Sequence, residues 1–173
     1  MSGSTELKNI KLLILDIDGV MTDGGIIIHA DGSESKKFNV LDGHGIKLWH
    51  RAGFKTAIIS GRDTAATSHR AKQLDISYVY QKCVEKLPAF EKLLGETGLR
   101  ADETAYIGDD IVDIPVARRA GFAVAVANAV AELKAVSHYV TTNSGGNGAV
   151  RETIEYILKN TGKWDEIMKR YLV

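Results

Sequence analysis

Two aspartates one residue apart, Asp16 and Asp18, follow directly on the apolar run Leu12-Leu13-Ile14-Leu15. A carboxylate closing a buried strand is costly unless something pairs with it. The neighbourhood supplies no base. Residues 12–31 hold Asp16, Asp18, Asp23 and Asp31, and residues 102–113 hold Asp102, Glu103, Asp109, Asp110 and Asp113, with no Lys or Arg in either segment. Placed side by side, these acids repel one another, and a bound cation or proton uptake relieves them. Oxygen-only ligands point to a hard ion, and few carboxylates with room for water favour Mg²⁺ over Ca²⁺. Ser60 and the Gly61 amide follow a second apolar run, and Lys86 opens the stretch after a third. A hydroxyl, a backbone N–H and an ammonium around a metal form a phosphate cradle. Asp42 and Asp63 are read more plainly, as turn or cap residues.

Those residues need elements that bring them to one edge. Strand-sized apolar runs lie at 12–15, 56–59, 76–80, 105–107 and 123–126. Their near-continuous apolarity suits parallel strands covered on both faces. Helical stretches are expected near 45–52, 64–74, 87–95, 111–120 and 149–158. Such alternation implies right-handed βαβ units, hence an α/β, doubly wound, Rossmann-like parallel sheet with ligands outside the carboxyl ends of its strands. After the first strand, residues 24–40 read as an inserted β-hairpin: Ile26-Ile27-Ile28, a turn at 30–33, then a second arm at 36–38. Beyond the Gly-rich loop at 143–148, Trp164, Ile167, Met168 and Tyr171 form one apolar stripe at i, i+3, i+4, i+7.

The chain has 173 residues, enough for one domain that buries roughly 70% of its surface unaided. Lys+Arg and Asp+Glu both number 22, which argues against a nucleic-acid binder, since such domains carry a basic excess. The single Cys83 excludes an intramolecular disulfide and a cysteine zinc site. No apolar run approaches the roughly 18 residues of a membrane span. The opening Met1-Ser2-Gly3-Ser4-Thr5-Glu6 lacks the basic start and apolar core of a signal peptide. The expectation is a cytoplasmic protein with no membrane partner.

Taken in order, Asp16-x-Asp18-Gly19-Val20, Ser60-Gly61-Arg62, Lys86 and Gly108-Asp109-Asp110-x-x-Asp113 resemble the four motifs of the haloacid-dehalogenase-like phosphotransferases. Thr22-Asp23-Gly24, Phe38-Asn39-Val40-x-Asp42-Gly43 and Gly145-Gly146-x-Gly148-Ala149-x-Arg151-Glu152 extend the likeness to one branch, the cap-less 3-deoxy-D-manno-octulosonate 8-phosphate phosphatases. It covers about residues 8–160, so a single domain is expected, with 161–173 as a tail that either makes an oligomer contact or packs on its own subunit.

This resemblance implies a Mg²⁺-dependent phosphatase of the 3-deoxy-octulosonate phosphate. Asp16 would be the nucleophile forming an aspartyl-phosphate, and Asp18 the group that protonates the leaving oxygen and then activates water. Ser60 and Lys86 would hold the phosphoryl oxygens. Asp16, Asp109 and the Asp18 carbonyl would hold the metal, while Asp110 and Asp113 would orient the loop or the metal's waters. Substrate contacts are expected from Asn39, Val40, Leu41, Asp42, Gly43, Gly61, Arg62 and Arg70 together with Asp18 and Lys86; Arg62 can fork onto a carboxylate. Leu41 stands where many members carry Arg, which leaves a related nine-carbon keto-sugar acid phosphate as the alternative substrate. The resemblance also implies a homotetramer whose subunits close one another's sites with the hairpin and the tail, in lipopolysaccharide sugar biosynthesis. Outside this class, a phosphorylatable receiver-like signalling domain is the rival, although its paired acids and its acceptor sit after other strands. A dinucleotide-binding domain fails for want of G-x-G-x-x-G, and a silent binding subunit fits poorly because no motif position is substituted.

Overall fold

The computed structural model describes residues 7–173, so the opening hexapeptide, which lacks signal-peptide character, lies outside the described residues. Six strands form one parallel sheet: β1 (Leu12–Leu15), β4 (Lys55–Ile59), β5 (Tyr78–Tyr80), β6 (Thr104–Gly108), β7 (Phe122–Ala125) and β8 (Tyr139–Val140). Their order is β5-β4-β1-β6-β7-β8, with β1 between β4 and β6. The chain therefore winds one way from β1 through β4 to β5, and the other way through β6. The crevice between β1 and β6 is where an α/β sheet of this kind binds ligands.

The central strands are apolar because both faces are covered. Every residue of β1, β6 and β7 is buried, and so are the last four of β4. The helices are α1 (Val40–Arg51), α2 (Ala65–Gln73), α3 (Lys86–Thr97), α4 (Ile114–Ala117), α5 (Ala131–Val136), α6 (Ala149–Asn160) and α7 (Trp164–Met168). No helix is long and apolar enough to cross a membrane among the described residues.

Several boundaries differ from expectation for identifiable reasons. Helix α1 begins at Val40 rather than near 45, because the Asn39 side chain accepts from the Leu41 N–H at 2.8 Å and caps it; Gly43 and Gly45 had masked the first turns. The helix expected over 111–120 is broken. A 3₁₀ turn, Ile111–Asp113, precedes the short α4, since Pro115 has no N–H to extend a helix backwards. α5 and β8, six and two residues long, were not expected, being too short for a periodic signal. The insert after β1 is a two-stranded antiparallel hairpin, β2 (Ile27–Ile28) with β3 (Glu34–Ser35), and nothing larger stands there. Its second arm is at 34–35 rather than 36–38. The turn closes early through His29 N–H to the Ser33 carbonyl at 2.9 Å, and Lys36 then turns inward to an acid.

Candidate active site

Because the strands are parallel, Asp16, Ser60 and Asp109, each the residue after its strand, emerge at one edge with Lys86 at the start of α3. They line one cleft of about 370 Å³ with Asp18, Gly61, Arg62, Cys83, Val84, Asp110 and Val112. The main chain fixes each of them. Asp16 N–H continues the ladder to the Ile107 carbonyl at 3.1 Å. Ser60 donates its N–H to the Tyr80 carbonyl and accepts from the Cys83 N–H, which sets its hydroxyl at the cleft wall.

After Asp16 the chain turns sharply. Val20, Met21 and Thr22 all donate their N–H groups to the Ile17 carbonyl, and none donates to that of Asp18. Gly19 makes this turn possible: its φ is +94°, and a Cβ there would collide with the Asp109 carboxylate. Acids from β1 and β6 thereby approach one another.

Carboxylate oxygens of Asp16, Asp109 and Asp113 lie within 4.8 Å of each other. The Lys86 ammonium, almost wholly buried, bridges Asp16 at 2.7 Å and Asp113 at 2.5 Å. Burial acts to lower the pKa of Lys86, and Asp16 and Asp113 more than offset it, leaving the ammonium above its ordinary value. Burial pushes Asp16 up to about 6 against the pull of Lys86. Asp109 is pushed to about 8, by burial first and then by the charges of Asp16 and Asp113. Two neighbouring carboxylates thus resist ionising together.

Asp113 does not share that freedom. Its carboxylate accepts from Lys86, from the Tyr106 hydroxyl at 2.5 Å and from the N–H groups of Asp109 and Asp110 at 2.8 and 3.1 Å. Its lone pairs are committed to holding the loop. Asp110, at the cleft wall, accepts from the Ile111 N–H and so caps the turn that follows it. Asp16 and Asp109 remain as the two open carboxylates, beside the unused Asp18 carbonyl. An all-oxygen set whose members repel, next to a buried Asp18 Oδ2 that has no hydrogen-bond partner, fits a hard divalent ion.

The comparisons agree. The haloacid dehalogenase-like hydrolase family matches residues 76–154. The 3-deoxy-D-manno-octulosonate 8-phosphate phosphatase of Salmonella typhi is 43% identical over 162 residues, 94% of this chain and 86% of its own. The chain belongs to this phosphatase family. The crystal structure of the Moraxella catarrhalis member, in complex with a magnesium ion, a phosphate ion and a 3-deoxy-octulosonate molecule, superposes with a TM-score of 0.94 at 42% identity, covering 97% of each chain. The cobalt-bound Haemophilus influenzae member gives 0.89 at 40%, covering 91% of this chain and 92% of its own.

Not every residue the family pattern suggests reaches the cleft. Asp16, Asp18, Ser60, Gly61, Arg62, Lys86 and Asp109 do; Asn39, Val40, Leu41, Asp42, Gly43 and Arg70 do not line it. Val40 and Leu41 face outward at the start of α1. Asp42 is buried and is a cap, though for another helix: it accepts from the Gly148 and Arg151 N–H groups at the start of α6. Burial raises its pKa against those bonds. Arg70 lies over the Phe38 ring and donates to the Asn39 carbonyl at 3.3 Å. Asp63 is exposed and pairs with Lys82.

Sequence reasoning missed Lys36 and Glu34. Lys36 pairs with Asp18, and Glu34 holds the Arg62 guanidinium at 2.5 Å. The available signal was charge: residues 12–31 lack any base, and the first to follow them, Lys36, answers it.

Proposed function

We propose that this chain is a Mg²⁺-dependent phosphatase that hydrolyses 3-deoxy-D-manno-octulosonate 8-phosphate to the free sugar acid and phosphate. One observation carries the reading: Asp16, Asp18, Asp109, Ser60 and Lys86 converge on a single cleft in a chain of this phosphatase family. The family assignment disfavours both the nine-carbon substrate and the receiver-like alternative.

Asp16, Asp109 and the Asp18 carbonyl would hold the ion. When bound, it supplies positive charge that keeps Asp16 ionised and neutralises the phosphoryl oxygens. Asp16 then attacks phosphorus in line, forming an aspartyl-phosphate as the ester oxygen leaves. Asp18 gives that oxygen a proton and afterwards takes one from the water that attacks the aspartyl-phosphate, releasing inorganic phosphate and restoring Asp16. Ser60, the Gly61 amide and Lys86 hold the equatorial oxygens. Asp113 keeps Lys86 aimed from behind. At the mouth Arg62 is placed to receive the sugar-acid carboxylate, exchanging Glu34 for it.

We place the protein in the cytoplasm, in lipopolysaccharide sugar biosynthesis, as a single domain that assembles into a homotetramer. Ile26, Ile27 and Ile28 of the hairpin are 50, 51 and 69% exposed, an apolar edge suited to a neighbouring subunit. Val40 and Leu41 at the start of α1 are exposed too, and would meet substrate only where a neighbouring subunit completes the site.

Phosphate release from a panel of sugar phosphates, in Mg²⁺ and in EDTA, tests the activity. The eight-carbon acid phosphate is expected to be turned over fastest, in Mg²⁺ alone. Equal rates in EDTA, or no release from any keto-sugar acid phosphate, would refute the reading. Asp16→Asn is expected to lower turnover below about a thousandth with the fold intact.

A further inference from the structure

Lys36 stands at the base of the hairpin, immediately after β3, with its side chain only 4% exposed. A lysine ammonium is rarely buried without a partner. The partner is Asp18 Oδ1, its sole ion pair among the described residues. The adjacent Lys37 shows what an ordinary surface lysine does here: it is 70% exposed and reaches Asp23 at 3.0 Å. Lys36 does not line the cleft, whereas Asp18 does. The ammonium therefore anchors one oxygen of Asp18 without itself lining the cleft. The other, Oδ2, is buried without a hydrogen-bond partner and lies 3.8 Å from Arg62 Nε.

Thr22 ties the turn through its hydroxyl, but among the described residues no backbone N–H donates to the Asp18 carboxylate, so its rotamer needs another constraint. A carboxylate that must meet the leaving oxygen, and later a water, gains rate from being held in one orientation. We propose that Lys36 is a positioning residue for Asp18, fixing its carboxylate through Oδ1 from within the same chain. This gives the insert a role in its own subunit's chemistry. The proposal rests on the reading of Asp18 as the group that moves the proton.

The test compares 3-deoxy-octulosonate 8-phosphate, whose alkoxide needs a proton to leave, with p-nitrophenyl phosphate, whose phenolate does not. Lys36→Met is expected to lower kcat on the sugar phosphate about tenfold to a hundredfold, part of the 10²–10⁴ that acid–base catalysis contributes, with KM within about twofold. The burst of nitrophenol should change by less than about threefold, because that step bypasses the acid. Asp18→Asn should show the same selectivity more strongly, and adding Lys36→Met to it should cost nothing further, since residues acting through one group are not additive. Should Lys36→Met not fold, Lys36→Gln carries the same comparison. A rise in KM at unchanged kcat, or a multiplicative loss in the double variant, overturns the proposal. If Asp18→Asn is selective and Lys36→Met is not, Lys36 alone is misassigned. If Asp18→Asn slows both substrates' first step equally, the role of Asp18 fails and the positioning role fails with it.

Discussion

Asp113 is wholly buried, yet it carries four hydrogen bonds, one of them its arm of the Lys86 bridge. Removing one partner of a buried pair leaves the other uncompensated, so Asp113→Ala is expected to lower unfolding stability by about 3–5 kcal/mol, measured by urea titration. A loss below about 1 kcal/mol would mean that Lys86 is satisfied by Asp16 alone. The open acids behave oppositely. Asp16 and Asp109 have pKa values raised to about 6 and about 8, against 3.8 for the ordinary carboxyl. At these two carboxyls the folded chain therefore binds more protons than the unfolded chain between about pH 4 and 8, and their contribution to metal-free stability falls as pH rises through that window. A divalent ion that binds the ionised pair restores what is lost. The gain in melting temperature from Mg²⁺ over EDTA should thus grow from about pH 5 to about pH 8.5. A gap that stays constant or shrinks with pH contradicts this.

Among the elements, the Gly-rich loop before α6 is the least forgiving. A Cβ on Gly145 would collide with the Gly19 carbonyl, and Gly146 donates its N–H to the Val20 carbonyl at 2.9 Å. This loop braces the turn that carries Asp18, and Asp42 in α1 anchors its far end by capping α6. Gly145→Ala is expected to destabilise by about 1–3 kcal/mol, the usual cost of overpacking. Because the displaced atoms belong to the Asp18 turn, kcat should fall as well, by about tenfold or more. Stability lost with kcat unchanged would show that the loop supports the fold but not the site. β3 has a comparable place, since its Glu34 and the following Lys36 are the hairpin's two links to the cleft.

At the scale of the molecule, the chain after Gly162 packs on its own subunit. Trp164 and Ile167 lie against the core, Lys159 sits over the Trp164 ring at 4.8 Å, and Tyr171 meets His44 and Arg51 of α1. Deleting residues 161–173 is expected to lower the melting temperature by about 2–8 °C, the shift for 1–2 kcal/mol in a chain of this size. An unchanged melting temperature would show that the tail contributes nothing to its own subunit. The exposed hairpin isoleucines are instead where the proposed assembly would form. Ile27→Lys with Ile28→Lys should reduce the mass seen by light scattering from a tetramer to smaller species, and a parent chain that is already monomeric would refute the assembly.

Much of this was written in the chain itself. Short apolar runs flanked by turn residues specify parallel strands locally, and a residue that follows such a run must emerge at the carboxyl edge. Asp16, Ser60 and Asp109 were therefore legible as one group before any fold was known, and Lys86 joined them only through the combined motif pattern. Pairings across long separations were not legible, because they depend on which way a side chain turns after its strand ends. Whether Asp42 meets substrate or caps α6, whether Asp113 holds metal or lysine, and which of Lys36 and Lys37 points inward were decided only by packing. In each case the deciding energy is the burial of a charge, and a charge is stable inside only where the folded chain brings it a partner.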